Sequence, residues 1–330
     1  MILSGELPQA IAAAVERLRA GALIGLPTET VYGLAADAEN DAAARLIFST
    51  KGRPADHPLI VHVTGAAEIG RFAADLPVFA RRLVVAFWPG PLTLILPRRP
   101  GVAAAAAGGN ATLALRCPSH PVAQRLLAAC AAQGIHGLAA PSANRFGKMS
   151  PTTAQHVEAE FGPDLLTLDG GPCTVGIEST IIDCTRGVPV LLRPGQLARS
   201  AIERAAGERV RARDELDTPS PKASGTLAAH YAPRAHVRLL DARELAAALR
   251  QPEAGAGKLA VWARSALAEA PPHGLLRRMP DDAVTAAREL FAVLHEFDAW
   301  GAAAIWVESP PAGDAWDGVR DRLLRAAASA

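Results

Sequence analysis

The sequence predicts an α/β protein with two domains, and three observations lead to that prediction. The chain has 330 residues, more than the roughly 250–300 residues at which a single hydrophobic core usually stops growing. Apolar segments of strand length alternate with segments of helical periodicity along most of the chain, a pattern typical of βαβ units. A stretch rich in Pro, Ser and Gly near residue 220 separates two such series, as a linker would.

The first series is expected to fill residues 1–206. Ile11, Val15 and Leu18 recur at helical spacing and predict a helix that ends at Gly21. Ser150 precedes Pro151, and this pair favours a helix start, because serine caps a helix and proline fits its first turn. The other expected elements are strands 22–26, 58–63, 92–96, 111–116, 137–141, 165–168, 177–183 and 188–193, and helices 41–49, 65–75, 77–87, 122–132 and 196–206.

The second series is expected to form a smaller domain over residues 236–330. Residues 207–235 are charged at first and then contain TPSPKASGT, which indicates a linker rather than a packed element. Beyond it we expect strands 236–240, 258–263 and 303–308 to alternate with helices 242–250, 281–299 and 315–327. Such alternation predicts a mainly parallel sheet.

Composition and charge exclude several classes of protein. The formal net charge is +1 and no block of Lys or Arg occurs, so the chain has no electrostatic footprint for general nucleic-acid binding, and no stable nucleic-acid complex is expected. The start MILSGELPQA has neither a basic beginning nor an apolar core, and no apolar run of about 18 residues follows. We therefore expect a cytoplasmic protein without a membrane segment.

Cysteines and histidines give no sign of a metal centre. The four cysteines, Cys117, Cys130, Cys173 and Cys184, form no C-x-x-C pair, and the nine histidines form no H-E-x-x-H motif. We expect free, mostly buried thiols, and no metal held by the protein alone.

Five polar clusters interrupt apolar strands at strand ends, where open α/β sheets bind ligands. They are LPTETVYGL (26–34), KGRPADHPLIVHV (51–63), TLALRCP (112–118), PSANRFGKMSPTTA (141–154) and GIESTIID (176–183). Cations, hydroxyls and amides dominate, and Glu29 and Glu178 are the candidate carboxylates for the site. This balance favours an anionic ligand. It does not favour paired-carboxylate hydrolysis, and the chain lacks a G-x-S-x-G nucleophile elbow.

Each cluster taken alone also has a structural explanation. Lys51 could interact with the C-terminal end of helix 41–49, and His62 could be a core histidine. Ser142 and Asn144 could stabilise a turn, while Ser179 and Thr180 could be ordinary strand hydroxyls. The joint occurrence of all five clusters favours a ligand site.

Together the clusters resemble a known family. The pattern K-x-R…S-x-N at Lys51, Arg53, Ser142 and Asn144, with PTETVYGL, PLIVHV, SPTTA, GIESTIID and LLRPG around it, resembles the YrdC-like threonylcarbamoyl-adenylate synthases over about residues 20 to 196. HYAP (230–233), ARELFAVLHEFDAWGAAAIWVE (287–308) and DRLLRAA (321–327) resemble the longer, two-domain form. The resemblance implies a YrdC-like twisted mixed-sheet domain, followed by a smaller Rossmann-like α/β domain.

The resemblance also implies a reaction and a set of site residues. L-Threonine, bicarbonate and ATP, which brings Mg²⁺, would give threonylcarbamoyl-AMP and pyrophosphate, and downstream enzymes would transfer the threonylcarbamoyl group to adenosine 37 of ANN-decoding tRNAs. Lys51, Arg53, Ser142 and Asn144 would be catalytic. The family's threonine contacts fall on Thr30, His62, Arg116, Ala140 and Ser179. Its nucleotide contacts fall on Lys51, Arg53, His57, Thr112, Ser142, Asn144, Ser150, Arg193 and Tyr231.

Two departures and two alternatives accompany the resemblance. His57 stands where the family commonly has Asn, and GDAWDGVRDRL (313–323) replaces a glycine-rich turn. Because Tyr231 lies beyond TPSPKASGT, the linker 207–235 is expected to fold back over the active site as a lid. An RNA-binding or ribosome-assembly factor on the same fold is one alternative, disfavoured by the near-neutral charge. A threonine or nucleotide sensor without turnover is the other.

Overall fold

The computed structural model describes residues 1–227, 230–250, 257–265 and 274–329. They form two compact units, the first from Met1–Phe146 and Ser150–Thr226, the second from Gly147–Met149 and Leu227–Ala330. The division between Thr226 and Leu227 falls inside the expected linker. Among the described residues, no helix has the length and apolar character needed to cross a bilayer.

The first unit is built around a large sheet with helices on it. Its helices are α1 (Pro8–Arg19), α2 (Asp41–Lys51), α3 (Ile69–Phe72), α4 (Val78–Phe87), α5 (Pro121–Ala131), α6 (Ala154–Phe161) and α7 (Arg199–Ala206). Its strands are β1 (Ile2–Ser4), β2 (Ile24–Leu26), β3 (Gly33–Asp37), β4 (Ile60–His62), β5 (Leu92–Pro97), β6 (Thr112–Arg116), β7 (Leu138–Ala139), β8 (Thr167–Asp169), β9 (Thr180–Asp183), β10 (Val190–Arg193) and β11 (Arg211–Ala212).

This sheet is mixed, as predicted. The described strands follow the order β1-β8-β2-β3-β7-β4-β6-β5-β9-β10-β11. Strand β6 runs parallel to β4 and antiparallel to β5, and β5 runs parallel to β9. Strands β4 and β6 carry the predicted ligand residues His62, Thr112 and Arg116.

The two halves of the sheet are covered differently on one face. Over β2, β3 and β7 that face packs against α1 and α5 through residues such as Leu18 and Leu126. Over β4, β6, β5 and β9 it carries a small apolar cluster that includes Ile60, Ala114 and Ile181, and this cluster packs against Leu216 and Ala223. We call residues 216–224 the strap. The strap therefore lies on the half of the sheet that bears the polar clusters.

Helix α2 ends at the first polar cluster for local reasons. The Asn40 side chain accepts hydrogen bonds from the backbone of Ala42 and Ala43 and caps the helix start. Gly52 ends it with a φ of 63°, a left-handed conformation that glycine adopts without a steric cost. Lys51 is therefore the last helical residue, and it is buried.

The expected helix start at Ser150 was wrong. Helix α6 begins at Ala154, and Thr153 is its N-cap, accepting from the backbone N–H of His156 at 3.3 Å. Ser150 instead donates its hydroxyl hydrogen to the Glu178 carboxylate, and the Pro151 carbonyl accepts from the Tyr32 N–H at 2.9 Å. These long-range bonds hold residues 150–152 outside the helix, and local capping preferences do not reveal them.

The second unit confirms the predicted small parallel sheet. Its strands β12 (His236–Leu240), β13 (Leu259–Ala263), β14 (Leu275–Arg278) and β15 (Ala304–Glu308) have the order β12-β15-β13-β14, and every described pair is parallel. Helices α8 (Ala242–Arg250), α9 (Ala283–Trp300) and α10 (Asp317–Ala327) accompany it. Strand β14 was not predicted. In the first unit, all four cysteines are buried and free, which confirms the expectation for them.

Candidate active site

Five buried residues on or next to the sheet strands form what we call the Arg116 group: Thr30, His62, Arg116, Ala140 and Ser179. Arg116 pairs with His62 on β4 and with Thr93 on β5, so these three side chains share one face of the sheet. Ser179 immediately precedes β9, beside Thr93, and their hydroxyls are 2.7 Å apart. The backbone N–H of Ala140 donates to the Ile60 carbonyl at 2.9 Å.

Arg116 is buried, with 3% of the residue exposed. Its guanidinium donates hydrogen bonds to three protein groups. It donates to the Glu29 carboxylate at 2.6 Å, to the Thr30 hydroxyl at 2.7 Å and to the Gly90 carbonyl at 3.3 Å. Glu29 also accepts from the backbone N–H of Ser119 at 3.1 Å. An arginine has five N–H donors, so donors remain for an anionic ligand.

The Thr30 hydroxyl belongs to a chain of hydrogen bonds. It lies 2.9 Å from the Thr28 hydroxyl, which in turn donates to the Val31 carbonyl at 2.6 Å. Both threonines are buried. The Thr28 hydroxyl oxygen also accepts from the backbone N–H groups of Thr30 and Val31, at 3.2 Å each.

His62 is a neutral histidine in this environment. It is 2% exposed, and its Nδ1 atom has no hydrogen-bond partner in the part of the chain that the structure describes. Burial, and secondarily the Arg116 charge, lower the pKa of His62 to about 3. The uncharged ring can offer a hydrogen bond to a ligand.

Arg193 connects this group to a second set of charges. Its Nε and Nη2 atoms donate to the Ser179 carbonyl at 3.1 and 3.0 Å. Its Nη1 atom donates to the carbonyl of Ser224, in the strap, at 2.9 Å. We call Lys51, Arg53 and Arg193 the cation group, and all three are buried.

Lys51 organises the loop that carries Ser142 and Asn144. Its ammonium donates to the Ser142 carbonyl at 2.5 Å and to the Asn144 carbonyl, while its own carbonyl accepts from the Phe146 N–H at 2.8 Å. Burial and the neighbouring Arg53 charge lower the pKa of Lys51 well below its usual value, and Glu160 and Glu178 raise it in part. An ammonium has three donors, so one remains beyond these two carbonyls.

Arg53 shares its donors between its own loop and the strap. It donates to the carbonyls of His57 and Pro58 at 3.2 and 3.0 Å, and to the Ser224 hydroxyl at 3.0 Å. Its guanidinium lies 6.0 Å from the centre of the Phe146 ring, which the His57 ring contacts edge-on at 5.7 Å. Burial and Arg53 lower the pKa of His57.

The strap is fixed at both ends. The Arg186 side chain donates to the Thr218 carbonyl at 3.2 Å, and Lys222 forms an ion pair with Asp56. Thr112, at the start of β6, lines a small cavity with Ala114, Ile181 and the strap residues Ala223 and Ser224. The Ser224 hydroxyl also donates to the Pro58 carbonyl at 2.8 Å.

The structure thus gathers most of the predicted residues in the first unit. Ser150 lies there with Glu178, its hydrogen-bond partner. Tyr231 belongs to the second unit, where its ring lies 5.4 Å from that of Phe291 and the Arg322 guanidinium lies 5.4 Å from its centre. Within the described residues, no group of three or more His, Cys, Asp and Glu side chains is placed to hold a metal ion.

Sequence reasoning assigned no role to Thr28 or Ser224, and it named Glu29 only as a candidate carboxylate without a partner. Thr28 and Glu29 stand inside PTETVYGL, so their position in a polar cluster was the available signal. Ser224 stands in a stretch that suggested only a linker, and its partner Arg53 is 171 positions away. No local pattern reports that contact.

Family models match nearly the whole chain. Residues 16–195 match the Sua5–YciO–YrdC family, whose model is described as telomere recombination. Residues 197–328 match the C-terminal domain of threonylcarbamoyl-AMP synthase.

Individual relatives agree with these models. Threonylcarbamoyl-AMP synthase of Pyrococcus abyssi is 43% identical over 228 residues, which is 68% of this chain and 66% of that protein. The enzyme of the same name from Bacillus subtilis is 40% identical over 242 residues, 72% of this chain and 68% of that protein. The chain therefore aligns with about two thirds of the length of these relatives.

Solved structures cover more of the chain. The crystal structure of P. abyssi Sua5 complexed with L-threonine matches with a TM-score of 0.88 and 36% identity, covering 97% of this chain and 94% of that one. A doubly substituted form of the same protein matches with a TM-score of 0.89 and 34% identity, covering 100% of this chain and 96% of that one.

Proposed function

The chain belongs to the Sua5–YciO–YrdC family in the form that carries a threonylcarbamoyl-AMP synthase C-terminal domain, and on this premise we propose that it is a threonylcarbamoyl-AMP synthase. It converts L-threonine, bicarbonate and ATP into threonylcarbamoyl-AMP and pyrophosphate. Downstream enzymes then use the product to form threonylcarbamoyladenosine at position 37 of ANN-decoding tRNAs. Mg²⁺ enters with ATP as part of that substrate.

The observation that carries the proposal is the link between the two charged groups. Arg193 donates to Ser179 with two of its nitrogens, so the Arg116 group and the cation group meet at Ser179. An amino acid bound at Arg116 and phosphates bound at the cation group would therefore be neighbours. That is the arrangement a reaction between them requires.

The Arg116 group suits the amino acid. The remaining Arg116 donors are available for its carboxylate, and Thr30, His62, Ser179 and the Ala140 backbone surround the position. The P. abyssi relative, whose solved structure holds L-threonine, supports this assignment.

The cation group suits the triphosphate. The threonine nitrogen attacks the carbon of bicarbonate and a water molecule leaves, which gives an N-carboxylate. An oxygen of that carboxylate then bonds to the α-phosphorus of ATP, and the bond to the pyrophosphate oxygen breaks. Every partner in the second step is anionic, so Lys51, Arg53 and Arg193 act by neutralising charge and aligning the phosphates. Ser142, Asn144, Ser150, His57, Thr112 and Tyr231 are the further nucleotide contacts in this proposal.

Pyrophosphate release by the purified chain, without tRNA, tests the proposal. Complete mixtures are compared with mixtures lacking threonine, bicarbonate or ATP. We expect release only when all three are present. Tight threonine or ATP binding without release would identify a sensor instead, and strong, salt-dependent RNA affinity without release would identify an RNA-binding factor.

A further inference from the structure

The further inference concerns His120, the residue that caps the start of helix α5. Its Nδ1 atom accepts from the backbone N–H of Val122 at 3.2 Å. Its Nε2 atom lies 3.2 Å from the carbonyl oxygen of Gly170. An amide N–H can only donate and a carbonyl can only accept, so the ring is neutral and carries its hydrogen on Nε2.

A protonated ring cannot keep this arrangement. Protonation would place a second hydrogen on Nδ1, facing the Val122 N–H, and two donors cannot bond to each other. The positive charge would also oppose the partial positive charge at the start of the helix. The ring has little room to turn, because a Cβ atom added at Gly170 would lie 2.4 Å from the Cε1 atom of His120. The cap of α5 would therefore be lost.

The capped loop supports Arg116 through two hydrogen bonds. Ser119, one residue before the cap, donates its backbone N–H to one Glu29 oxygen at 3.1 Å, and the other Glu29 oxygen accepts from Arg116 at 2.6 Å. On the other side of Ser119, the Gln124 side chain donates to the Pro118 carbonyl at 2.6 Å. Of the two side chains that hold this loop, the histidine is the one that can gain a proton near neutral pH.

Burial decides when the ring gains that proton. Burial, and to a smaller extent the Arg125 charge, lower the pKa of His120 from its ordinary value of 6.5, while the Gly170 carbonyl, Glu29 and Glu6 raise it in part. The charged side chains near the ring or beside its partners are Glu6, Glu29, Arg125 and Asp169. The ring is therefore neutral at pH 7 and becomes charged below pH 6.5.

We propose that His120 is a positioning residue that holds Arg116 in place for the amino acid and makes threonine affinity depend on pH. This inference rests on the proposed function. The neutral ring keeps the cap of α5, and with it the bond from Ser119 to Glu29. A charged ring releases the cap, so Glu29 loses a partner and no longer restricts Arg116 to one orientation. Threonine affinity is complete above pH 6.5 and falls as the pH decreases.

The other histidines near the proposed ligands do not produce this dependence. The pKa of His62 is about 3, so His62 stays neutral between pH 5 and pH 7. His57 belongs to the nucleotide end of the site, and threonine binding can be measured without a nucleotide. Free threonine keeps its charged amine and its carboxylate over the same range.

The test is calorimetric titration of the full chain with L-threonine at pH 7 and pH 5, without ATP or bicarbonate. His120→Asn replaces the ring by a side chain that caps helices and does not titrate. His120→Ala removes the cap at every pH. His136→Asn is the matched control, because His136 is a half-buried histidine of the same unit, paired with Glu68 at 3.5 Å.

In the wild type and in His136→Asn, we expect the dissociation constant of threonine to rise about three- to tenfold from pH 7 to pH 5, as for one lost hydrogen bond. In His120→Asn it should be equal at both pH values. His120→Ala should bind threonine as weakly at pH 7 as the wild type does at pH 5. Wild-type binding at pH 5 should also release protons, measured as a difference in binding heat between two buffers of different ionisation enthalpy.

Two results would overturn the inference. They are an equal dissociation constant at both pH values in the wild type, and a pH dependence that persists in His120→Asn. If the variants do not fold, proton release by the wild type decides, and threonine binding at pH 5 without it would be equally contrary. A wild type that binds no threonine at pH 7 and releases no pyrophosphate would instead contradict the proposed function on which the inference rests.

Discussion

The Arg116 group and the cation group differ in the partners that their side chains have before a ligand binds. Arg116 is held by Glu29, Thr30 and Gly90, none of which belongs to the strap. Arg53 and Arg193 instead donate in part to Ser224, a residue of the strap. The proposed amino-acid end is therefore held by residues outside the strap, whereas the proposed phosphate end is held in part by the strap.

The difference predicts which ligand binds with the smaller cost of reorganisation. A preorganised group loses little side-chain entropy on binding. We predict that phosphates replace the bonds from Arg53 and Arg193 to the strap, in which case the apparent affinity for ATP includes the cost of that exchange. Four variants or conditions test whether the two groups act separately.

Lys51→Ala should produce the largest loss, in turnover. The variant removes a buried positive charge beside the expected phosphates, and a lost charge-stabilising donor typically lowers kcat by about 100- to 1,000-fold. The KM for threonine should change little, because Lys51 is not in the Arg116 group. Pyrophosphate release gives both constants, and circular dichroism checks the fold. Near-normal turnover in a folded variant would remove Lys51 from the mechanism.

His62 should make stability depend on pH in a defined direction. Its pKa is about 3 in the folded chain and 6.5 when unperturbed, so the unfolded chain binds more protons between these values. The contribution is complete above pH 6.5 and is lost as the pH falls towards 3. At pH 5 the wild type should therefore have lost about 2 kcal/mol of its free energy of unfolding from this residue.

The measurement for His62 is urea unfolding at several pH values in the wild type and in His62→Gln, which cannot titrate in this range. The difference between the two curves isolates the histidine. The wild-type curve should fall more steeply below pH 6.5. Parallel curves would show that His62 is not held neutral by burial and Arg116.

Glu29→Gln should weaken threonine binding by disturbing the orientation of Arg116. A carboxylate accepts with both oxygens, from Arg116 and from Ser119, and an amide cannot serve both donors equally. We expect KM for threonine to rise about tenfold, with KM for ATP unchanged. The exposed Glu16, paired with Arg19 at the surface, provides the control Glu16→Gln. Equal effects on both substrates would contradict separate ends of the site.

Ser224→Gly should have the smallest effect, and in the opposite direction. Removal of the hydroxyl takes away one strap partner of Arg53, so less must be exchanged when phosphates bind. Calorimetric titration with ATP should show an affinity that is higher by about two- to fivefold. This increase corresponds to part of the net free energy of one hydrogen bond. Weaker ATP binding would mean that Ser224 contacts the nucleotide and that the strap does not compete with it.

The sequence predicted the fold class well because periodicity reports it directly. Alternating strands and helices predicted the parallel sheet of the second unit, and polar residues at strand ends predicted the clusters that β4, β6 and β9 bring together. Local signals failed where a distant partner decides the structure. Ser150 does not cap a helix because Glu178 accepts its hydrogen, and Glu29 acquires its role from Arg116, 87 positions later.

Detection of the carbamoylated product tests the proposed reaction directly. The purified chain is incubated with threonine, MgATP and ¹³C-bicarbonate, and the nucleotide products are analysed at once by mass spectrometry. We predict threonylcarbamoyl-AMP carrying the label in its carbamoyl carbon, formed together with pyrophosphate and absent when threonine is omitted. Formation of AMP or ADP without any labelled adduct, by a chain that binds both substrates, would contradict the account.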